Sequence, residues 1–403
     1  MRLRSDSRTI SPRRAMASVV LAAISVLFIR TVPAIAKHKA AQQPAQQERQ
    51  FAFWYEDWKP DTWEKLQPAN VLIGVPANAV AEIHGKGGNT LHYVTFYQAK
   101  FGNVFLKNQE DLAAVGFHTP EGYLPSAFGG ENNYVLCSNS QELRTRALAY
   151  VDEIVRTKKF DGLFVDNTYL PPATTQVCDA KHAHVTPGEN GGSAYVDLLG
   201  AVYSAVKKAN PSAVVMINPG NPAKFMLQSH GHTAWDFSDY TLWESYGYAS
   251  AVGAGHDRWK QTIEASFDLA KSPNAQRVLA LSYPKTDTEA LYSYAVASAF
   301  GFRYTANLGV SEQGKEGAGG HYGIFAPKLP NLIGSPANPP PAPGTTVLKR
   351  EYKNGTCIVN LGQSDYVVVA DRSATLYAEN GSSKLQKGQR YSLPPGKSAI
   401  LKY

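Results

Sequence analysis

The sequence predicts a (β/α)8 barrel followed by a small antiparallel β-domain. Eight short apolar runs alternate with segments of helical periodicity between residues 51 and 334. A barrel of this kind needs about 250 residues plus insertions, which fits this block. The segment from Ser335 to Gly344 then places five prolines in ten residues, so it cannot continue a helix or a central strand. We therefore expect an extended linker at 335–344 and a separate domain at 345–403.

The candidate strands are short, apolar and bounded by polar or turn-forming residues. They are FAFWYED (51–57), ANVLIGVP (69–76), LHYVTFYQ (91–98), DGLFVD (161–166), AVVMINP (213–219), YTLWES (240–245), RVLALSYP (277–284) and FRYTANLG (302–309). An open doubly wound sheet is the competing arrangement, and it requires a glycine-rich phosphate loop after its first strand. The segment EDWKP that follows the first strand here is no such loop, which favours the barrel.

Helix-period segments lie between several of these strands. They cover residues 141–159, 193–210, 257–271 and 287–300, where apolar residues recur every three or four positions. Ser193 and Asp287 are suitable N-caps for two of these helices, and Asn210-Pro211 is a suitable stop signal. Residues 99–140 form a long insertion rich in Gly, Asn and Tyr, which we expect to shape a cleft.

Residues 345–403, the C-terminal tail, consist of alternating β-rich runs separated by turn signals. Asn354-Gly355 and Asn380-Gly381 are strong hairpin signals between such runs. The tail contains no histidine and no cluster of acids. We therefore predict a small antiparallel β-domain with no chemistry of its own.

The N-terminus has the anatomy of an export signal. Residues 1–36 hold six arginines and one acid, an uncharged stretch of 15 residues (15–29) and the small-x-small pattern Ala34-Ile35-Ala36. An apolar run of this length is short for spanning a bilayer, so a retained anchor is the weaker alternative. Arg13-Arg14 resembles a twin-arginine signal, although Pro12 departs from that pattern. We read 1–36 as a signal peptide and the glutamine-rich segment 37–50 as a disordered tether.

The charge distribution argues against a nucleic-acid partner. The chain carries a net charge of +7, but the leader accounts for most of it, and the remainder has no lysine or arginine stripe. The expected product is a secreted or periplasmic protein without a membrane anchor after cleavage of the leader.

In a barrel, functional groups come from the C-terminal ends of the strands and from the loops that follow. Carboxylates, amides and aromatic rings are expected at that mouth, and such a lining suits a sugar, because polar groups bond the hydroxyls and rings stack on the apolar faces. The candidate catalytic residues are Asp166 and Glu244. The candidate substrate-binding residues are Trp54, Tyr55, Asp57, Tyr97, Asn167, Asn218, Tyr246, Tyr283 and Asn307.

Asp166 and Glu244 each close an apolar run and lie two strands apart. We expect their backbones to be roughly 10 Å apart, with both side chains in one cleft. That spacing is compatible with either retaining or inverting cleavage of a glycosidic bond. Glu244, between Trp243 and Tyr246, is the candidate general acid with a raised pKa, and Asp166 is the candidate ionised nucleophile or base. The alternative is that both acids cap loops or pair with a lysine.

Several histidines and cysteines are close enough in the sequence to suggest a metal site or a disulfide. Cys178, His182 and His184 offer potential ligands at close spacing, and His230-Gly231-His232 repeats the His-x-His pattern. Such patterns in loops are weak evidence for catalytic zinc, so we expect local loop structure and assign no metal and no cofactor. Cys137 and Cys178 are expected at one end of the barrel, where they form a disulfide or remain free; Cys357 is expected as a buried thiol.

The two strand ends FDGLFVDNTY (160–169) and TLWESYGY (241–248) resemble glycoside hydrolase family 114, the family of endo-α-1,4-polygalactosaminidases. The resemblance implies an exported barrel with an acid after strand four, another after strand six, and often a small β-domain. The resemblance implies that Asp166 and Glu244 are these two acids. The expected function is therefore an exported glycoside hydrolase that acts on O-glycosidic bonds of a polysaccharide. The alternative is a non-catalytic carbohydrate-binding protein on the same barrel.

The leader gives the first testable prediction. If residues 1–36 are a cleaved signal, the exported protein should begin near Lys37. N-terminal sequencing of protein recovered outside the cytoplasm measures this directly. Exported protein that still begins at Met1 would contradict the prediction.

Overall fold

The structure is a computed structural model of the chain. It describes residues 49–54, 58–59, 62–67, 69–127, 130–169, 175–247, 256–284, 286–306, 332–379 and 381–403. The predicted signal peptide and all but the last two residues of the predicted tether lie outside these ranges. Within them, no helix combines the length and the apolar character that a membrane crossing requires.

Eight parallel strands form the central sheet in the order of the chain, which confirms the predicted barrel. They are β1 (Phe51–Phe53), β2 (Val71–Ile73), β3 (Asn89–Thr95), β4 (Gly162–Asp166), β5 (Val214–Ile217), β6 (Tyr240–Trp243), β7 (Val278–Ser282) and β8 (Arg303–Ala306). The hydroxyl of Thr305 on β8 donates to the carbonyl of Phe51 on β1 at 2.7 Å, so the last strand contacts the first.

Seven α-helices lie in the part of the chain that the structure describes. They are α1 (Thr62–Leu66), α2 (Val80–Gly85), α3 (Leu112–Val115), α4 (Gln141–Asp152), α5 (Gly191–Ala209), α6 (His256–Ala270) and α7 (Asp287–Phe300). A π-helical turn, Glu153–Thr157, extends α4, and short 3-10 turns lie at Ala77–Ala79, Ala234–Phe237 and Ala275–Arg277.

Both predicted N-caps are wrong, Ser193 by three residues and Asp287 by one. The cap of α5 is Asn190, whose side chain accepts a hydrogen bond from the backbone N–H of Ser193. The cap of α7 is Thr286, which accepts from the N–H of Glu289. A capping side chain must reach a free N–H two or three positions further on, and these two residues have the extended backbone that allows it.

Strand alternation decides which side chains enter the barrel. Every second residue of a strand faces the same side of the sheet. A buried interior cluster contains Leu91, Phe164, Met216, Leu242 and Leu281, one from each of five successive strands β3 to β7. The residues two positions further on therefore share that interior side at the C-terminal ends. They are Tyr93, Asp166, Asn218, Glu244 and Tyr283.

The C-terminal segment forms the predicted small β-domain. Its strands are β9 (Val347–Tyr352), β10 (Gly355–Asn360), β11 (Tyr366–Val369), β12 (Ala374–Ala378), β13 (Gly381–Leu385), β14 (Arg390–Leu393) and β15 (Ser398–Lys402). All their pairings are antiparallel, and β9–β10 and β12–β13 are hairpins at the two predicted turn signals, of which Asn380 lies outside the described residues.

This domain packs against α7. The guanidinium of Arg350 donates to the carbonyl of Ala299 at 3.3 Å, and the hydroxyl of Tyr352 donates to the carbonyl of Ser298. A cavity of about 220 Å³ opens nearby, lined by residues that include Phe51 and Arg303 at the starts of β1 and β8. These are the N-terminal ends of the strands, so the cavity lies at the end of the barrel opposite the carboxylates.

Candidate active site

One amide nitrogen joins the two candidate carboxylates. Nδ2 of Asn218 donates to Oδ1 of Asp166 at 2.7 Å and to Oε2 of Glu244 at 2.9 Å. Since both oxygens bond to the same nitrogen, they lie no more than about 5.6 Å apart, the sum of the two bond lengths. The structure therefore brings together three side chains that the sequence predicted for the site.

The second oxygen of each carboxylate accepts from a tyrosine. The hydroxyl of Tyr283 on the β7 side donates to Oε1 of Glu244 at 2.7 Å. The hydroxyl of Tyr93 on β3 donates to Oδ2 of Asp166. Each carboxylate thus has a donor on both oxygens, which is the arrangement that stabilises a partly buried charge.

The backbone turns sharply directly after each acid. Asn167 and Ser245, the residues that follow Asp166 and Glu244, both have left-handed backbone conformations with φ of 56° and 55°. Non-glycine residues adopt this conformation rarely, and it is found where the surrounding structure fixes it, often at functional sites. β4 ends at Asp166 and β6 ends one residue before Glu244, and the chain turns away from the strand directly after each acid.

Burial raises the pKa of Asp166 above its usual value. The hydrogen bonds from Tyr93 and Asn218 oppose this shift, whereas the charge of Glu244 adds to it, and the backbone N–H of Asn167 again lowers the pKa. The sequence predicts a raised pKa for Glu244 and an ionised carboxylate at Asp166. The sequence did not predict the raised pKa of Asp166, which arises because the side chain of a strand-end residue facing the barrel interior is desolvated by the strands around it.

Three predicted aromatic residues lie elsewhere. Tyr246 is fully buried, and its hydroxyl hydrogen-bonds to that of Ser266 on α6, so it packs between the barrel and the helices instead of lining the mouth. Trp54 and Tyr97 are 4% and 6% exposed and belong to the same outer core. Trp54 lies at an odd offset from the interior residue Phe53, so strand alternation places it on the helix-facing side. Tyr97 and Tyr246 lie beyond the ends of β3 and β6, where strand alternation no longer applies, and Tyr246 follows the left-handed turn at Ser245.

Of the four remaining predicted site residues, the structure describes only Asn167. Asn167 contributes its backbone N–H to Asp166, and no side-chain hydrogen bond to the carboxylates is described for it. Tyr55, Asp57 and Asn307 lie outside the residues that the structure describes.

Tyr93 is the site residue that the sequence analysis missed. It was passed over because strand three was predicted to end at Tyr97-Gln98, whereas β3 ends at Thr95, which pairs with Asp166. Tyr93 pairs with Phe164 on β4, and its side chain is 36% exposed. The sequence could have shown this, because Leu91, Tyr93 and Thr95 alternate along the strand and Tyr93 therefore shares the interior side with Leu91.

Two clusters of potential metal ligands lie outside the carboxylate pair. One contains Cys137, Cys178, His182 and His184, and the other contains Glu189, Asp197 and His230. All three cysteines are free and buried, so the disulfide alternative for Cys137 and Cys178 is not what the structure contains. Neither cluster includes Asp166 or Glu244.

Comparisons with known proteins identify the fold. No protein-family model and no curated protein matches the chain. A solved structure described as a family GH13_31 enzyme has a TM-score of 0.52 and 11% identity, covering 85% of this chain and 94% of that one. Amy13B of Eubacterium rectale has a TM-score of 0.50 and 11% identity, covering 85% and 89%. These likenesses establish the barrel.

The glycoside hydrolase domain of PelA from Pseudomonas aeruginosa is also similar. It is 14% identical and covers 66% of this chain and 96% of that one, with a TM-score of 0.44. A likeness at that level supports no conclusion about activity. The resemblance to glycoside hydrolase family 114 therefore stays a prediction.

The raised pKa of Asp166 predicts a pH-dependent stability difference. A carboxyl whose pKa is raised on folding stabilises the fold below its unfolded pKa of about 3.8, and this contribution is lost as the pH rises through the folded pKa. The Asp166→Asn variant has no ionisable group at this position, so it does not bear this pH-dependent cost. We therefore expect the stability of this variant relative to the wild type, measured as the difference in unfolding free energy, to increase between about pH 3 and pH 7. Denaturant unfolding at both pH values measures this.

A control separates this effect from the loss of any carboxylate. The side chain of Asp268 on α6 is 84% exposed, and Asp268→Asn should change stability by less than about 0.5 kcal/mol at either pH. A relative stability of Asp166→Asn that stays constant or falls towards pH 7 would contradict the prediction.

Proposed function

We propose that this chain is an exported, retaining glycoside hydrolase that cleaves O-glycosidic bonds of a polysaccharide. The observation that carries the proposal is the amide of Asn218 bonded to both Asp166 and Glu244. Retaining glycosidases hold their two carboxyl groups about 5–5.5 Å apart, and inverting enzymes about 6.5–9.5 Å apart. An upper limit of about 5.6 Å between the bonded oxygens supports the retaining class.

In the first step, a carboxylate oxygen of Asp166 attacks the anomeric carbon of the sugar. Glu244, in its protonated form, donates its proton to the glycosidic oxygen as the bond to the leaving group breaks. The products of this step are a glycosyl ester of Asp166 and the released sugar alcohol. In the second step, the Glu244 carboxylate takes a proton from water, the water oxygen attacks the anomeric carbon, and the ester bond to Asp166 breaks.

The surroundings of Asp166 suit the nucleophile. Its oxygens accept from Tyr93, Asn218 and the backbone N–H of Asn167, which hold the carboxylate in one orientation. Its raised pKa makes it a stronger base, and hence a better nucleophile, than an exposed aspartate. Forming the ester also removes a partly desolvated charge, so burial favours the covalent intermediate over the free carboxylate.

Tyr283 and Asn218 suit a positioning role for Glu244. They hold its two oxygens at 2.7 and 2.9 Å, respectively. Because Asn218 also holds Asp166, a single side chain sets the distance between the acid and the nucleophile. Such preorganisation is how an enzyme keeps two reacting groups in the productive geometry.

Replacement of either acid tests the proposal. Glu244→Gln should lower the turnover of unactivated polysaccharide by about 10²–10⁴-fold, because no proton reaches the leaving group. Asp166→Asn should lower it at least as much, because no ester forms. Release of reducing ends from a panel of polysaccharides measures both effects, with circular dichroism to verify folding and Asp268→Asn as the matched control.

The outcomes of this experiment separate the two functional hypotheses. Cleavage by the wild type and by the Asp268 variant, together with loss in both site variants, supports the hydrolase. Binding of a polysaccharide without release of reducing ends in any protein would support the carbohydrate-binding alternative. Near-wild-type turnover in either site variant would remove that residue from the mechanism.

Tyr93→Phe tests the electrostatic part of the mechanism. The hydroxyl of Tyr93 lowers the pKa of Asp166, so its removal should raise that pKa further. Since Asp166 must be ionised to attack, the acidic limb of the kcat/KM profile should move to higher pH. Tyr283→Phe is the control, because Tyr283 contacts Glu244 instead. An acidic limb that does not move in Tyr93→Phe would show that Asp166 does not set it.

A further inference from the structure

Four side chains from two separate segments meet beside the barrel. Cys137 lies between the short strand Asn133–Val135 and helix α4, and Cys178, His182 and His184 lie in the loop between β4 and α5. We name these four residues the Cys2His2 cluster. Each offers one ligand atom, and all four atoms lie within 4.8 Å of one another. Ligand atoms around tetrahedral zinc are about 3.3–3.8 Å apart, so a small inward movement of each side chain would complete the coordination.

We propose that the Cys2His2 cluster binds one zinc ion with a structural role. Two thiolates and two imidazoles are a common ligand set for structural zinc, and they leave no position open for water or substrate. Soft sulfur ligands disfavour magnesium and calcium, which take oxygen ligands. The site is independent of the glycosidase proposal.

The imidazoles of the cluster are oriented for a metal. The Nδ1 of His182 lies 3.2 Å from the carbonyl oxygen of Ala113, to which it can only donate, so its Nε2 carries a free lone pair. Nε2 of His182 and Nε2 of His184 are both buried without a hydrogen-bond partner. A histidine that donates one N–H to a backbone carbonyl and points its other nitrogen inward is the usual arrangement around a bound metal.

One sulfur of the cluster accepts a hydrogen bond from the backbone. The N–H of His118 donates to Sγ of Cys178 at 3.5 Å. A metal-bound cysteine is a thiolate, and such N–H groups stabilise it without competing for the metal.

A disulfide explains less of this geometry. A bond between Cys137 and Cys178 would satisfy the two sulfurs, but it would leave both buried Nε2 atoms without a partner. Buried polar atoms without partners are rare in folded proteins and destabilise them. A zinc ion satisfies all four ligand atoms at once, which is why we favour it over the disulfide.

The ion would fasten the loop that follows the candidate nucleophile. This loop begins at Asn167, directly after Asp166, and returns to the barrel at α5. Residues 183–185 of this loop already contact the start of α4. The N–H of Val185 donates to the carbonyl of Asn139 at 2.8 Å, and the N–H of Gln141 donates to the carbonyl of Ala183 at 3.0 Å. Zinc would cross-link the same two segments by side chains, and so hold the loop in place.

Metal analysis of the purified full-length protein tests the proposal. Elemental analysis should find about one zinc ion per chain, and Cys137→Ser and His184→Ala should each lower that content at least about tenfold. The control is Cys357→Ser, which removes a buried thiol of the C-terminal domain and should leave the zinc content unchanged. Removal of zinc by a chelator should lower the midpoint of thermal unfolding of the wild type by about 5 °C or more.

Two further measurements decide the result if a variant does not fold. Alkylation of denatured, unreduced wild-type protein should modify three cysteines, whereas a disulfide would leave one. Metal-free wild-type protein titrated with Co²⁺ should develop thiolate-to-cobalt charge-transfer absorption and the d–d bands of a tetrahedral site. A single alkylated cysteine, or the absence of both zinc and these cobalt bands in reduced protein, would overturn the proposal.

Discussion

The hydrogen bonds from one amide, that of Asn218, to two carboxylates determine the geometry of the candidate site. Asn218 directly follows β5, which lies between the strands β4 and β6 that lead to Asp166 and Glu244. Its two N–H groups therefore point to neighbours on either side, at 2.7 and 2.9 Å. The barrel makes this possible because the same two-residue period that fills its interior with Phe164, Met216 and Leu242 places polar residues at the interior end of each strand.

Two acids held this close would repel each other if nothing compensated for their charges. The structure compensates in two ways: donors bond all four carboxylate oxygens, and the pKa of Asp166 is raised, by burial first and also by the charge of Glu244. A raised pKa lowers the cost of neutralising the group, by a proton or by an ester bond. In the proposed mechanism, the features that make the pair costly to bury are therefore the ones that make it reactive.

The sequence predicted the barrel, the β-domain and the core of the site, because each depends on local patterns. Apolar runs ending in Asp166, Asn218, Glu244 and Tyr283 could be read directly. The errors concern strand ends and parity. An overlong third strand concealed Tyr93, and counting every residue near a strand end as part of the mouth included Tyr246, which follows the sharp turn at Ser245 and packs against α6. Nor could spacing show that Cys137 meets His184, since two loops far apart in the chain must fold first.

The stereochemistry of the reaction tests the central claim most directly. Proton NMR spectroscopy of the first product formed from a polysaccharide that the chain cleaves distinguishes the two anomers before they interconvert. The short distance between the carboxyl oxygens that one amide bridges is typical of retaining enzymes, so the account predicts a product with the same anomeric configuration as the substrate. A product with the inverted configuration would contradict it.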